Sequence, residues 1–188
     1  MIKYDWLEGR PWAAPSIYMR QKGRWFPPSM KVIVCADSHG AFAAAERLLE
    51  QNREAAAVIF LGDGAEEWED LCAIYPQMPF YPVRGNCDWG SDWPAVRVVE
   101  LGGHRLFCTH GHLHGVKSGD MGPLLRAAKA ENCDIVLYGH THAARIEYRE
   151  GRHLLNPGSL RHPAEGRPGY IELVLDGKNV VPIPVELK

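Results

Sequence analysis

Lys31-Val32-Ile33-Val34-Cys35-Ala36-Asp37-Ser38-His39 is the stretch on which the reading of this chain turns. Its first six residues form an apolar, β-branched run too short for a helix, which predicts a buried strand. The run stops abruptly at a carboxylate, a hydroxyl and an imidazole. The same grammar recurs downstream. Ala57-Val58-Ile59-Phe60-Leu61 is a second buried strand, closed by Gly62-Asp63. Phe80-Tyr81-Pro82-Val83 is a third, closed by Gly85-Asn86-Cys87-Asp88, and its proline predicts an edge or a strand start. Val96–Leu101 and Arg105–Cys108 flank Gly102-Gly103 as a hairpin, closed by Thr109-His110-Gly111-His112. Asp134–Tyr138 runs into Gly139-His140-Thr141-His142.

Between these strands, amphipathic spacing predicts helices over Phe42–Arg53, Glu66–Ile74 and Leu124–Asn132. Two further hairpins follow, Ala144–Arg149 with His153–Leu155 and Tyr170–Leu175 with Val180–Val185. Strand–helix alternation followed by hairpins predicts the α/β class, with a two-layered sheet core flanked by helices. Residues 1–29 differ. They carry Trp6, Trp12, Trp25, Phe26 and four prolines without helical or strand periodicity. Two readings stand: an irregular aromatic arm appended to a domain spanning 30–188, or an upstream start codon with Met30 as the natural first residue.

At 188 residues with 46% apolar content, one domain with a sizeable core is expected. A net charge of −2 gives no sequence-level support for a duplex nucleic-acid grip, although Arg145, Arg149, Arg152, Arg161 and Arg167 are enriched late in the chain. No apolar run approaches the roughly 18 residues of a membrane span, and residues 1–6 lack the apolar stretch of a signal peptide. Five scattered cysteines with no Cys-x-x-Cys pair predict free thiols and a cytoplasmic setting. Assembly into a homo-oligomer is left open.

The chemistry lies in what closes the strands. In α/β sheets, ligands bind outside the carboxyl ends of the strands, so the five closing segments are expected to converge. An isolated Asp-x-His caps a helix and an isolated Gly-Asp makes a turn. His-x-His is more telling, because alternate residues of extended chain point to one side. Packing alone would have to bury many polar groups together, each needing a partner. Asp37, His39, Asp63, Asn86, His110, His140 and His142 are therefore the candidate metal ligands. Imidazole mixed with carboxylate and amide oxygen suits Mn²⁺, the first choice, or Fe, Zn²⁺ or Ni²⁺, over Ca²⁺ and Mg²⁺. Seven donors exceed one coordination sphere. Two divalent ions sharing a carboxylate would use them all, make hydroxide available near pH 7, and leave residual positive charge for a phosphate diester.

Taken in order, Asp-x-His, Gly-Asp, Gly-Asn-Cys-Asp, His-Gly-His and Gly-His-Thr-His resemble the motifs of the calcineurin-like metallophosphoesterase superfamily. Gly-Asn-Cys-Asp and the late Asn156-Pro157-Gly158-Ser159, itself first a turn signal, resemble the small single-domain branch of bacterial and archaeal phosphodiesterases. The resemblance covers Met30 to about Leu187. It implies a four-layer α/β sandwich of two packed mixed sheets flanked by helices. It assigns Asp37, His39, Asp63 and His142 to one metal, with Asp63 bridging to a second held by Asn86, His110 and His140. The implied activity is hydrolysis of a phosphate-ester substrate by metal-bound hydroxide. Many members carry a histidine right after the asparagine, where it protonates the leaving group; here Cys87 stands there. His112 and Asp88 are the candidates to supply that proton, Asp88 having an amide-capping turn as its other reading. Asn156 and Ser159 are expected to position the ligand loops. The alternative from another class is a catalytically weak scaffold, since the retromer scaffold subunit resembles this fold. Loss of the ligand histidines would mark it, and all four are present.

Overall fold

The computed structural model describes residues 19–21, 24–26 and 29–188. Strand β1 (Met19–Gln21) pairs antiparallel with β2 (Arg24–Phe26). No periodicity signals that ladder, because three residues are too few for an alternation to register. The rest of the expected arm lies outside the described residues.

The main body is built on two five-stranded mixed sheets. In the first, β3 (Met30–Cys35), β4 (Ala57–Phe60) and β5 (Phe80–Pro82) run parallel. The hairpin of β11 (Gly169–Asp176) and β12 (Asn179–Glu186) adds antiparallel on the other side of β3. The order is β12-β11-β3-β4-β5, so β5, which carries Pro82, is at an edge, as is β12 with Pro182 and Pro184. The second sheet has the order β6-β7-β8-β10-β9. Its strands are β6 (Val96–Leu101), β7 (His104–Thr109), β8 (Ile135–Leu137), β9 (Ala144–Arg149) and β10 (Arg152–Pro157). There β7, β8 and β10 are parallel, while β6 and β9 flank them antiparallel.

Why β3 reads as one continuous apolar run is now plain. Val32, Val34 and Ala36 point between the sheets and meet Ile59, Leu106, Ile135, Leu155 and Leu173. Ile33 and Cys35 point outward, into a layer formed with Ala45, Leu48 and Leu49 of α1 (Phe42–Gln51) and Trp68 and Leu71 of α2 (Ala65–Ile74). On the far side, Leu124, Leu125 and Ala128 of α3 (Gly122–Ala130) cover Phe107, Val136 and Leu154. The four-layer sandwich follows, each buried Val, Leu or Ile contributing about 1.5–3 kcal/mol.

Three of the differences from expectation have a local cause. Asn52 ends α1 two residues early: its N–H bonds to the Leu49 carbonyl, and its side-chain amide donates to the Leu48 carbonyl and the Tyr170 hydroxyl. Helix α3 begins two residues early, with Pro123 in its first turn, where the missing N–H costs nothing. Asn156 and Pro157 finish β10 rather than forming the turn, and the chain reverses at Gly158 with φ +83°.

Candidate metal centre

The five closing segments leave the carboxyl ends of β3, β4, β5, β7 and β8, all at one end of the sandwich. Each must turn at once after a strand. Asp37, His39, Asp63, His140 and His142 do so with φ between +43° and +68°. This region is rarely populated by residues other than glycine, and such strain concentrates at functional sites. The Gly85 backbone passes so close to Asp63 that a Cβ there would overlap the carboxylate.

Two groups of donors result, with Asp63 between them. In the first, His142 Nε2 lies 3.2 Å from Asp37 Oδ1 and 3.3 Å from His39 Nε2. In the second, His110 Nε2 lies 3.1 Å from His140 Nδ1, 3.2 Å from Asn86 Oδ1 and 3.4 Å from Asp63 Oδ2. The same Asp63 oxygen is 3.9 Å from His39 Nε2. Asp37, His39 and His142 have donor atoms close enough to share one ion, as do Asp63, His110 and His140.

The donor chemistry fits cations. His110 Nδ1 is 2.7 Å from the Leu61 carbonyl and His142 Nδ1 is 2.7 Å from the His162 carbonyl, so each must carry the proton there. Both Nε2 atoms are left to offer lone pairs toward carboxylate oxygen and other imidazoles, an arrangement that needs either a proton or a cation. Asp37 Oδ1 is buried with no hydrogen-bond partner among the described residues, while Asp37 Oδ2 accepts from the His140 N–H at 3.1 Å.

The electrostatics of the site set protons and cations in competition for the same positions. Burial alone would raise Asp63, yet the His110 imidazole and the Cys87 amide hold it well below the usual carboxylate range. Burial would lower His110, but the Asp63 hydrogen bond and the Asp37 and Asp63 charges carry it above its ordinary value. The close approach of the Asp37 carboxylate raises His142. Burial, then the His110 charge, pushes His140 down to about 4.

His112 sits beside this centre, its ring centroid 5.5 Å from that of His110, and burial lowers its pKa. Asp88 is placed for another task than proton donation. Its Oδ2 accepts from the N–H groups of Asp63 at 2.8 Å and Gly85 at 2.6 Å. Its Oδ1 accepts from Gly64 at 2.7 Å and Ala65 at 2.8 Å. Four amides occupy both oxygens, which is the amide-capping reading on a larger scale: one carboxylate fastens two ligand loops together. Cys87 is exposed, and partial desolvation of its thiol, with Asp63 nearby, pushes it up to about 11. Asn156 donates to the Gly139 carbonyl and to Thr141 Oγ1, and Ser159 donates to the Asp37 carbonyl, so both brace ligand loops.

One supporting residue escaped the sequence reading. Glu67 is buried and accepts from Ser38 Oγ and the Gly40 N–H, both at 2.7 Å, tying the Asp37–His39 turn to α2. A glutamate in the first turn of a helix reads as a solvated dipole partner. The nearby buried Trp68, whose indole N–H donates to the same Ser38 oxygen, is its only sequence cue. Of the late arginines, Arg161 reaches the centre, donating to the His39 carbonyl. Arg145 and Arg149 pair with Glu147, and Arg152 donates to the Cys133 carbonyl.

Comparison with known proteins agrees with the geometry. Residues 30–178 match the family model described as the calcineurin-like phosphoesterase superfamily domain. Phosphodiesterase YfcE of Escherichia coli (strain K12) is 32% identical over 164 residues, covering 74% of this chain and 84% of that protein. The solved structure of a predicted phosphoesterase from Streptococcus pneumoniae TIGR4 superposes with a TM-score of 0.73 at 26% identity, over 86% of this chain and 94% of the other. Vacuolar Protein Sorting 29 from Cryptosporidium parvum superposes with a TM-score of 0.67 over 84% and 98%; at 21% identity this is a likeness of fold.

Proposed function

The chain belongs to the calcineurin-like phosphoesterase superfamily, and on that premise we propose that it is a cytoplasmic phosphodiesterase working with two divalent cations, its catalytic unit being residues 30–188. The observation that carries the reading is Asp63, whose one oxygen faces His110 on one side and His39 on the other. Asp37, His39 and His142 would hold one ion, and Asn86, His110 and His140 the other, with Asp63 shared. When bound, Mn²⁺ or a similar ion supplies Lewis acidity and lowers the pKa of water toward about 7.

The chain's own residues do the rest. Carbonyls of Leu61 and His162 fix the tautomers of His110 and His142, so that Nε2 faces the centre. Asp88 and Glu67 hold the ligand turns in their left-handed conformations, so the donors are in place before substrate arrives. His112, beside His110 and with its pKa lowered by burial, would hydrogen-bond a phosphate oxygen.

A strong general acid is missing from this centre, because Asp88 is engaged by amides, burial leaves His112 largely unprotonated near pH 7, and Cys87 occupies the position after Asn86. Proton transfer to the departing oxygen is then weak, and esters with good leaving groups should turn over fastest. A series of aryl methyl phosphates with the Mn²⁺-loaded protein tests both points. A steep fall in rate with rising leaving-group pKa is expected, and a flat dependence would refute the missing acid. Metal bound stoichiometrically with no hydrolysis of any member would favour the scaffold reading.

A further inference from the structure

A cavity of about 390 Å³ opens directly off His39 and Asp63. Cys87 and Trp89 line it, together with Glu66 and Glu69 of α2. Trp89 is 92% exposed. A lone exposed apolar side chain is ordinary on a surface. What sets this one apart is that it shares a cavity with the candidate metal donors.

The loop bearing it is anchored at both ends. Asp88 is fastened by its four amides, and the Trp93 ring packs edge-on against Phe60 with centroids 6.2 Å apart. One tryptophan of the loop therefore serves the fold, while the other lines the cavity, exposed and with no aromatic partner among the described residues. The wall chemistry narrows the occupant. Glu66 and Glu69 are exposed carboxylates, as is the nearby Asp70, and would repel an anionic substituent. An indole face stacks on flat rings and attracts cations.

We propose that this cavity is the substituent subsite of the phosphoesterase centre, and that Trp89 selects esters bearing a flat aromatic group that is uncharged or cationic, such as a nucleobase or simple aryl ring. With phosphate at Asp63, one ester arm lies along Cys87 and stacks on Trp89, while Glu66 and Glu69 exclude polyphosphate and carboxylate arms. The proposal rests on the phosphoesterase reading only for the position of the phosphate.

Calorimetric binding to the Mn²⁺-loaded protein tests it without requiring turnover. The probes are phenylphosphonate, methylphosphonate and phosphonoacetate. Wild type should bind phenylphosphonate about tenfold more tightly than methylphosphonate, the scale of one aromatic stacking contact. Trp89→Ala should erase that preference while leaving methylphosphonate affinity unchanged, and Trp89→Phe should retain most of it. Glu66→Gln with Glu69→Gln should strengthen phosphonoacetate binding alone. An unchanged preference in Trp89→Ala overturns the proposal, as does a wild type that binds no phosphonate. Trp89-dependent binding in a protein that hydrolyses nothing upholds the subsite and overturns the hydrolase reading instead.

Discussion

Asp88→Asn separates a structural clamp from a proton donor, because the isostere changes one atom and leaves the shape intact. In the native loop each carboxylate oxygen accepts two backbone N–H groups, Asp63 and Gly85 on one, Gly64 and Ala65 on the other. The amide keeps one oxygen and turns an NH₂ toward the other two donors, so two buried N–H groups lose their acceptor. At about 1–3 kcal/mol for each unsatisfied group, the loss is about 2–6 kcal/mol. Asp88→Ala strips all four amides but opens room for water, so its cost should be of similar size, about 4 kcal/mol. The assay is urea unfolding of both variants beside the wild type, with Mn²⁺ removed so that metal linkage does not mask the difference. Metal affinity is then measured below the unfolding transition, and should fall because Asp63 rides on the clamped loop. Were Asp88 the general acid, the Asp88→Asn substitution would cost turnover and little stability. An unfolding midpoint within error of wild type, together with a large loss of rate, would refute the clamp.

Three other outcomes are expected. In the cation-free protein His110 and His142 are raised above their ordinary values by carboxylates, so a metal must displace protons from both. Mn²⁺ affinity should therefore climb with pH through and somewhat above the usual imidazole range and then level off, with proton release seen by calorimetry in buffers of different ionisation enthalpy; a pH-independent affinity would contradict this. The same two groups stabilise the cation-free fold fully at low pH and lose that contribution as pH rises through their raised values, whereas His140, at about 4, opposes them by favouring the unfolded state as pH falls below the ordinary imidazole value. Gly85→Ala should cost about 1–3 kcal/mol and sharply weaken metal binding, since the new Cβ meets the Asp63 carboxylate and lies 2.6 Å from its backbone nitrogen. Thermal melts and metal titration would check it, and a variant that melts and binds Mn²⁺ like wild type would show that the two loops can part freely.

The strands and their closing segments were legible because each β strand of the core is a short apolar run with an abrupt polar end, and parallel pairing places those ends together. Asp37, His39, Asp63, His110, His140 and His142 announce themselves by residue type at such ends. What holds them does not. Asp88 reaches the Ala65 and Gly64 amides 23 and 24 residues away, Glu67 reaches the Gly40 amide 27 residues away, and nothing in their local pattern says which amides will arrive. Likewise Asn156 and Pro157 read as a turn by propensity, whereas pairing with Arg145 and Ala144 extends β10 through them. Tertiary pairing outweighs local preference there. The cavity beside Trp89 was equally hidden, since a cavity is a property of several elements at once.

Metal content of Asp63→Ala bears most directly on the shared-carboxylate centre. The wild-type protein, loaded with Mn²⁺ and freed of excess, should carry two ions per chain by elemental analysis, and the variant should carry none while retaining its fold by circular dichroism. Two ions still bound to Asp63→Ala, or one ion in both proteins, would contradict a carboxylate held in common at the heart of the site.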